Sequence, residues 1–447
     1  MEKVYNYLCV LLSSKKHQLC LMFCFFMVYY PANAQPGQGV ISVDDSLQAG
    51  YVLFSPEKMD TTYLLYKPGN IIVYKWHCLN PPGMAVYLLP DGNLLRAEDI
   101  RYYNGSDTGC GYPGGLIAMY DRNSDTLWTY TINSATEQQT HDIYPILKNG
   151  HVLADVWEKI PYQEAINAGR SSNLLPVNTD IWSGKVVELA PPDAKHKNVR
   201  EVWHWRFWNH LDSTGSSPYL LNVNDTGTPV GFPVDWIHMN AVTYNEALDQ
   251  VMVSSRNLNE VYIIDHSTTI KQAKHGSGGK YGKGGNFLYR WGNPHAYGQK
   301  GPQQLFGQHS PYWIPAHYPY ANKIMINNDG FDRCQGDTLC LTTVNIIDPR
   351  DSAGHYKMLH DSTYAPRKPS WTYPAPEPLW NPFEGGAQML SSGNVLICSA
   401  TKGIFYEINA AGDIVWEYKL SPQNPKAFRC TQYDSNYPGI KKLLNKK

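Results

Sequence analysis

From Tyr51 onward the chain repeats a short pattern of apolar and polar positions: an apolar run, a tight turn containing glycine, and a second apolar run. It is read in Tyr87 to Leu95 around Asp91-Gly92-Asn93, in Ile146 to Leu153 around Asn149-Gly150, and in Met389 to Leu396 around Ser392-Gly393. Glycine tolerates the positive φ that tight turns demand, so each stretch predicts an antiparallel hairpin. A companion element ends on an aromatic pair, as in Gly403 to Ile408 turning through Ala411-Gly412-Asp413 into Ile414-Val415-Trp416-Glu417-Tyr418. The same ending stands at Trp76, at Trp128 and Tyr130, at Trp203 and Trp205, and at Tyr289 and Trp291, and the interval from 291 to 418 is wide enough for two units. The pattern predicts an all-β chain of about six units of four short antiparallel strands, a six-bladed β-propeller, because one such unit cannot bury both faces alone. A pair of β-sandwiches with similar hairpins is the alternative. Helix signals are weak, and the runs Pro366 to Pro382 and Gly276 to Gly285 read as loops between strands or blades.

Ahead of the repeats the pattern changes. Lys15-Lys16, an apolar run from Leu19 to Tyr30, and Pro31-Ala32-Asn33-Ala34 have the order of a secretory signal peptide cleaved after Ala34. The run is short of the ~20 apolar residues of a membrane span, and no later stretch reaches that length. An uncleaved anchor is the alternative. The expected organisation is therefore a signal peptide at 1–34, a lead-in at 35–50 and a propeller catalytic domain at 51–447, exported to the periplasm or secreted, with no stable membrane insertion.

Composition adds three constraints. Lys plus Arg, at 38, nearly balance Asp plus Glu, at 39, so no nucleic acid or other polyanionic partner is expected. The 32 Tyr and 13 Trp alongside 31 Pro and 36 Gly favour strands and turns. Cys78, Cys110, Cys334, Cys340, Cys398 and Cys430 follow the signal peptide, an even set compatible with disulfides in an exported chain. Cys334 with Cys340 is the most plausible pair, and free buried thiols are the alternative for some of the set.

A propeller brings strand ends together around its axis, so polar residues at those ends are candidates for a shared pocket. His141-Asp142 opens one hairpin, His238 and Asn240 open another with Arg256 at its far end, and Gln308-His309-Ser310 opens the next, leading to Asn328-Asp329-Gly330. An arginine fork, a carboxamide and imidazoles suit an oxyanion with three exposed oxygens. Asp235-Trp236 reads as architecture, and His151, His204, His210, His266, His295 and His317 read as core or rim. Arg256 taken alone suits a surface pair with Glu260 or Asp265. Cys and His are too scattered for a metal site, and no Gly-rich phosphate loop or nucleophile elbow is present.

The segment Asp235 to Asn240, the following Val253-Ser254-Ser255-Arg256-Asn257-Leu258-Asn259-Glu260-Val261, Gln308-His309 and Asn328-Asp329-Gly330 resemble the bacterial arylsulfate sulfotransferase family across about Tyr51 to Tyr418. The resemblance implies an exported six-bladed propeller that moves a sulfuryl group from one phenol to another without the nucleotide donor PAPS or another cofactor. It places the nucleophile on His309, sulfate binding on His238, Asn240 and Arg256, and a further active-site histidine on His141. A β-domain that precedes the propeller in the best-known members has no room between Gln35 and Tyr51, and Cys334 and Cys340 follow His309 where the family's disulfide precedes the nucleophile. Neither departure removes a residue the chemistry needs. An aryl sulfate hydrolase and a non-catalytic propeller that binds a sulfated ligand are the competing readings.

Overall fold

The computed structural model describes residues 37–40, 46–100, 112–227, 234–331, 341–349, 351–374 and 381–444. Cys110, Cys334 and Cys340, and with them the expected disulfide, lie outside these residues. The described cysteines, Cys78, Cys398 and Cys430, are buried free thiols.

Among the described residues, six antiparallel sheets form the blades of a β-propeller. Blade 1 holds Tyr51–Phe54, Thr61–Tyr66 and Ile71–His77, with Cys430–Tyr433 as its innermost strand. Blade 2 runs from Pro82–Leu88 to Thr126–Thr131, and blade 3 from Glu137–Ile146 to Arg200–Arg206. Blade 4 runs from Met239–Asn245 to Tyr289–Trp291, blade 5 from His309–Trp313 to Trp371–Pro374, and blade 6 from Gly386–Met389 to Ile414–Leu420. Gly37–Val40 adds a fifth strand at the outer edge of blade 6. The wide interval after 291 thus holds one extra unit, and its aromatic ending, Trp371 and Tyr373, lies inside the proline-rich run expected to be loop. Proline is tolerated there because this is the outer edge strand of blade 5.

Burial follows position in the blade. Strands with a sheet neighbour on each side are covered by adjacent blades and are buried at every position, polar residues included, as in Leu94–Asp99 and Gln250–Ser255. The outermost Thr126–Thr131 alternates between exposed and half-buried residues. The core is accordingly divided among the interfaces between blades: Leu53 and Leu64 meet Val86 and Leu94 between blades 1 and 2, and Met252 and Ile263 meet Ile324 and Ile326 between blades 4 and 5. The aromatic endings brace this ring. Trp205 donates its indole N–H to Gly285 O at 2.7 Å, Trp291 to Pro366 O at 2.7 Å, and Trp416 to Asn70 Oδ1 at 2.9 Å.

Ring closure has its own polar lock. Lys67 in blade 1 is fully buried, pairs with Glu407 in blade 6 and donates to Gln432 Oε1 on the closing strand. Glu407 Oε1 also accepts from Asn394 Nδ2 at 2.6 Å and from the Gln48 backbone N–H at 2.8 Å. Lys67→Ala leaves the Glu407 carboxylate buried without its counter-charge, so urea denaturation is expected to show a loss of about 3–5 kcal/mol. A Lys67→Met, Glu407→Leu double variant, which removes both charges, should recover much of that loss; no recovery would mean the pair matters through packing.

Candidate active site

Four successive blades break the regular pairing of their innermost strands at the same end of the propeller. The register shifts between Pro82 and Val86 in blade 2, opposite Ala154 and Val156 in blade 3, between Met239 and Ala241 in blade 4, and between His309 and Tyr312 in blade 5. A bulge adds residues to one strand and re-aims their side chains. Left-handed backbone marks the same places, with φ of 93° at Met84, 26° at His141, 46° at His238 and 50° at Ser310. Non-glycine residues in this region carry strain that the surrounding structure must hold. The result is a pocket of about 240 Å³ whose lining includes His141, His238, Arg256, His309, Tyr112 and Glu384.

His309 is 1% exposed, and its Nδ1–H donates to Asp329 Oδ2 at 2.7 Å, with Gly307 O at 3.1 Å. In the neutral ring that contact sets the tautomer, with the proton on Nδ1 and the lone pair on Nε2. Asp329 Oδ1 accepts from Asn327 Nδ2 at 2.6 Å. Burial raises the Asp329 carboxyl to about 6, opposed by its contact with His309 and by the Arg256 charge, so it is chiefly ionised at neutral pH. The preceding residue anchors this strand to blade 4: Gln308 Nε2 donates to Ser254 Oγ at 3.0 Å, Ser255 O at 2.8 Å and Glu260 O at 3.0 Å.

His238 has the same arrangement with a different charge balance. Its Nδ1 lies 2.6 Å from Asp235 Oδ2. Among the described residues Asp235 Oδ1 has no hydrogen-bond partner, and burial, opposed by the Arg256 charge, raises this carboxyl to about 7. Burial, reinforced by the charge of Arg256, holds the His238 imidazole well below its ordinary pKa. The pair then carries two protons and no net charge. Whichever side of the short contact holds the shared proton, Nε2–H remains as a donor. Asp235, expected to be architectural, is therefore part of the site. Asn257 Nδ2 donates to Asp235 O at 2.6 Å and Arg256 N to His238 O at 3.0 Å, which fastens this segment to the end of the neighbouring strand.

Arg256 does not take the surface pairing that its sequence neighbours offer. Glu260 is buried against Arg290, and among the described residues Arg256 makes no ion pair. Its guanidinium lies 4.8 Å from the Phe331 ring centroid and 5.3 Å from that of Phe383, and all three residues line the pocket. Across the pocket Tyr112 packs against His238 at 4.8 Å and His141 at 5.5 Å. Phe428, just before the closing strand, lies 6.2 Å from His141 and 6.3 Å from His309. Arg429 then pairs with the buried Asp142 at 2.8 Å, tying the residue beside His141 to blade 1.

The structure thus brings His141, His238, Arg256 and His309 to one pocket from three blades. Asn240 sits differently: it is fully buried, and its Nδ2, expected at a sulfuryl oxygen, donates to Gln308 O at 2.8 Å. It positions the chain entering His309. Sequence reasoning gave no role to Asp329, although its motif was noted, and did not single out Tyr112, Phe331, Phe383 or Glu384. Phe383 and Glu384 follow a proline-rich run that has no periodicity to read. His210 is a core residue stacked on Trp205, and His266 is held between Asp249 and Glu188.

Fold and pocket together define a β-propeller whose central pocket holds an arginine without an ion pair among the described residues and two histidines each paired to a carboxyl. Residues 193–438, more than half of the chain, match the model of the Arylsulfotransferase (ASST) family, and the chain belongs to that family. It is therefore an enzyme of the sulfotransferase kind, acting on small molecules. No curated protein matches the chain significantly. Among solved structures it is similar to a protein of unknown function from Bacteroides caccae (11% identity, 86% of this chain and 99% of that one, TM-score 0.47). It is also similar to the periplasmic gluconolactonase PpgL of Pseudomonas aeruginosa (12% identity, 84% of each chain, TM-score 0.42). A third is the Cps50 (Swd1) β-propeller domain of Myceliophteria thermophila (9% identity, 90% of this chain and 96% of that one, TM-score 0.43).

Proposed function

We propose that the protein transfers a sulfuryl group from an aryl sulfate ester to a phenolic acceptor, without PAPS, through a sulfohistidine at His309. The observation that carries this reading is the pairing of Arg256, which has no ion-pair partner among the described residues, with an imidazole whose Nδ1–H is held by Asp329. The first is a receptor for an anionic group and the second a nucleophile oriented by its carboxylate partner.

Sulfuryl transfer, like phosphoryl transfer, builds charge on three equatorial oxygens, so catalysis is chiefly placement and electrostatic stabilisation. Arg256 and the His238 Nε2–H receive that charge, with His141 as the third imidazole at the pocket. His309 Nε2 forms a bond to sulfur as the sulfur to aryl-oxygen bond breaks. The acceptor phenol then reverses the sequence and frees His309. Tyr112 on one side and Phe331 and Phe383 on the other offer ring faces for the aryl groups. The secretory segment expected before Gln35 would place this chemistry outside the cytoplasm.

The test is turnover of 4-nitrophenyl sulfate by the mature protein with and without added phenol. Parallel double-reciprocal plots and a sulfated His309 peptide after brief donor exposure are the expected results. Product release indifferent to phenol would identify water as the acceptor and a hydrolase. Tight binding of aryl sulfates with no turnover would make this a binding propeller.

A further inference from the structure

Glu384 lines the pocket with His309 and Arg256, yet neither sulfur attack nor charge stabilisation uses a carboxyl there. It occupies a left-handed backbone position, φ 64°, immediately before a glycine that is also left-handed. Its carbonyl is held by Asn381 Nδ2 at 2.6 Å and by Asn327 Nδ2 at 3.3 Å, and the latter amide also donates to Asp329. Glu384 is thereby tied to the carboxylate behind His309.

Its side chain meets that of Glu57, which comes from the turn between the first two strands of blade 1. Glu384 Oε2 and Glu57 Oε1 are both shielded from solvent, and neither has a hydrogen-bond donor among the described residues. A carboxyl shielded from water beside a second carboxyl favours its protonated form, in which its O–H can be donated to the neighbour. Burial and the neighbouring Glu57 raise Glu384 to about 8, opposed by Lys426. A carboxylic acid protonated at neutral pH at the edge of a sulfuryl-transfer pocket is suited to move a proton on and off a phenol oxygen.

Resting on the aryl sulfotransferase reading above, we propose that the Glu384–Glu57 pair is the proton store of the reaction, with Glu384 as general acid to the departing aryl oxygen and general base to the incoming phenol. In the first half-reaction the sulfur to aryl-oxygen bond breaks, the bond from sulfur to His309 Nε2 forms, and the aryl oxygen takes the proton of the carboxyl pair and leaves as a phenol. In the second, the acceptor oxygen bonds to sulfur, the sulfur to nitrogen bond breaks, and the acceptor proton returns to the pair. Atoms and charge balance with no further reactant.

The experiment is a single-turnover burst of phenol release by the full chain with a series of aryl sulfates, from 4-nitrophenyl sulfate, whose anion leaves readily, to phenyl sulfate, whose anion does not. In Glu384→Gln the loss is expected to be greater for phenyl sulfate than for 4-nitrophenyl sulfate by about 10²-fold, within the range for general acid catalysis. Glu57→Gln, altered outside the pocket lining, should steepen the dependence in the same direction by less. Equal losses for all donors, or an unchanged dependence in both variants, would overturn the proposal while leaving the transferase reading in place. Failure of the unaltered protein to release phenol from any aryl sulfate would overturn both.

Discussion

His309→Ala is expected to lower sulfuryl transfer by about 10³-fold or more, the scale on which removal of a covalent nucleophile acts. The variant also deprives the buried Asp329 carboxyl of its Nδ1–H donor, so its urea midpoint should fall below that of the unaltered protein, and activities are compared in the absence of denaturant where circular dichroism shows both folded. The loss should fall on the first burst of phenol and on turnover alike, with no sulfated peptide recovered. A double variant with Asp329→Asn should be scarcely worse than His309→Ala alone, because groups that act as one unit do not lose their effects additively. A His309→Ala protein that still turns over 4-nitrophenyl sulfate at a comparable rate would remove His309 from the mechanism.

Asp329→Asn is expected to lower turnover by about 10³- to 10⁴-fold with the pocket shape retained, as when the carboxylate behind a catalytic histidine is replaced by an amide elsewhere. The amide would present an N–H to Nδ1 and turn the ring's proton to Nε2, the atom that must attack. The pH dependence carries the same logic. With Asp329 at about 6 in the folded protein, lowering the pH through that value protonates the carboxyl, so turnover should rise with pH across about 6. Deprotonation of the Asp235–His238 pair removes the Nε2–H donor, so turnover should decline above about 7. Asp235→Asn should move the alkaline limb and leave the acid limb in place. A profile flat from pH 5 to 8 would show that neither carboxyl controls the chemistry.

Much of the architecture was legible because blade structure is periodic. Glycine hairpins and aromatic endings repeat, and five of the six outer strands announce themselves by Trp or Tyr. The sixth, Trp371–Pro374, was hidden by prolines that an edge strand tolerates. The histidines and Arg256 were legible because they stand at strand ends in a short motif. Their partners were harder to read. Asp235 belongs to a dipeptide that also serves as a blade ending, and only the short contact with His238 distinguishes the two roles. Asn240 has the right chemistry for an oxyanion, but the bulge at Met239 and Ala241 buries it against the Gln308 carbonyl. Glu57 and Glu384 lie far apart in sequence, in a turn and a proline-flanked loop, and ring closure alone makes them neighbours.

The lock that fastens Cys430–Tyr433 into blade 1 also has a bearing on biosynthesis. Phe428 packs beside His141 and His309, and Arg429 secures Asp142, so residues made near the end of translation complete a pocket whose histidines were made much earlier. A nascent chain, made amino end first, would therefore carry its pocket imidazoles as unassembled parts. Catalytic competence would be conferred all at once, when residues 428 to 433 dock, and a chain cut off before them would be silent rather than weakly active.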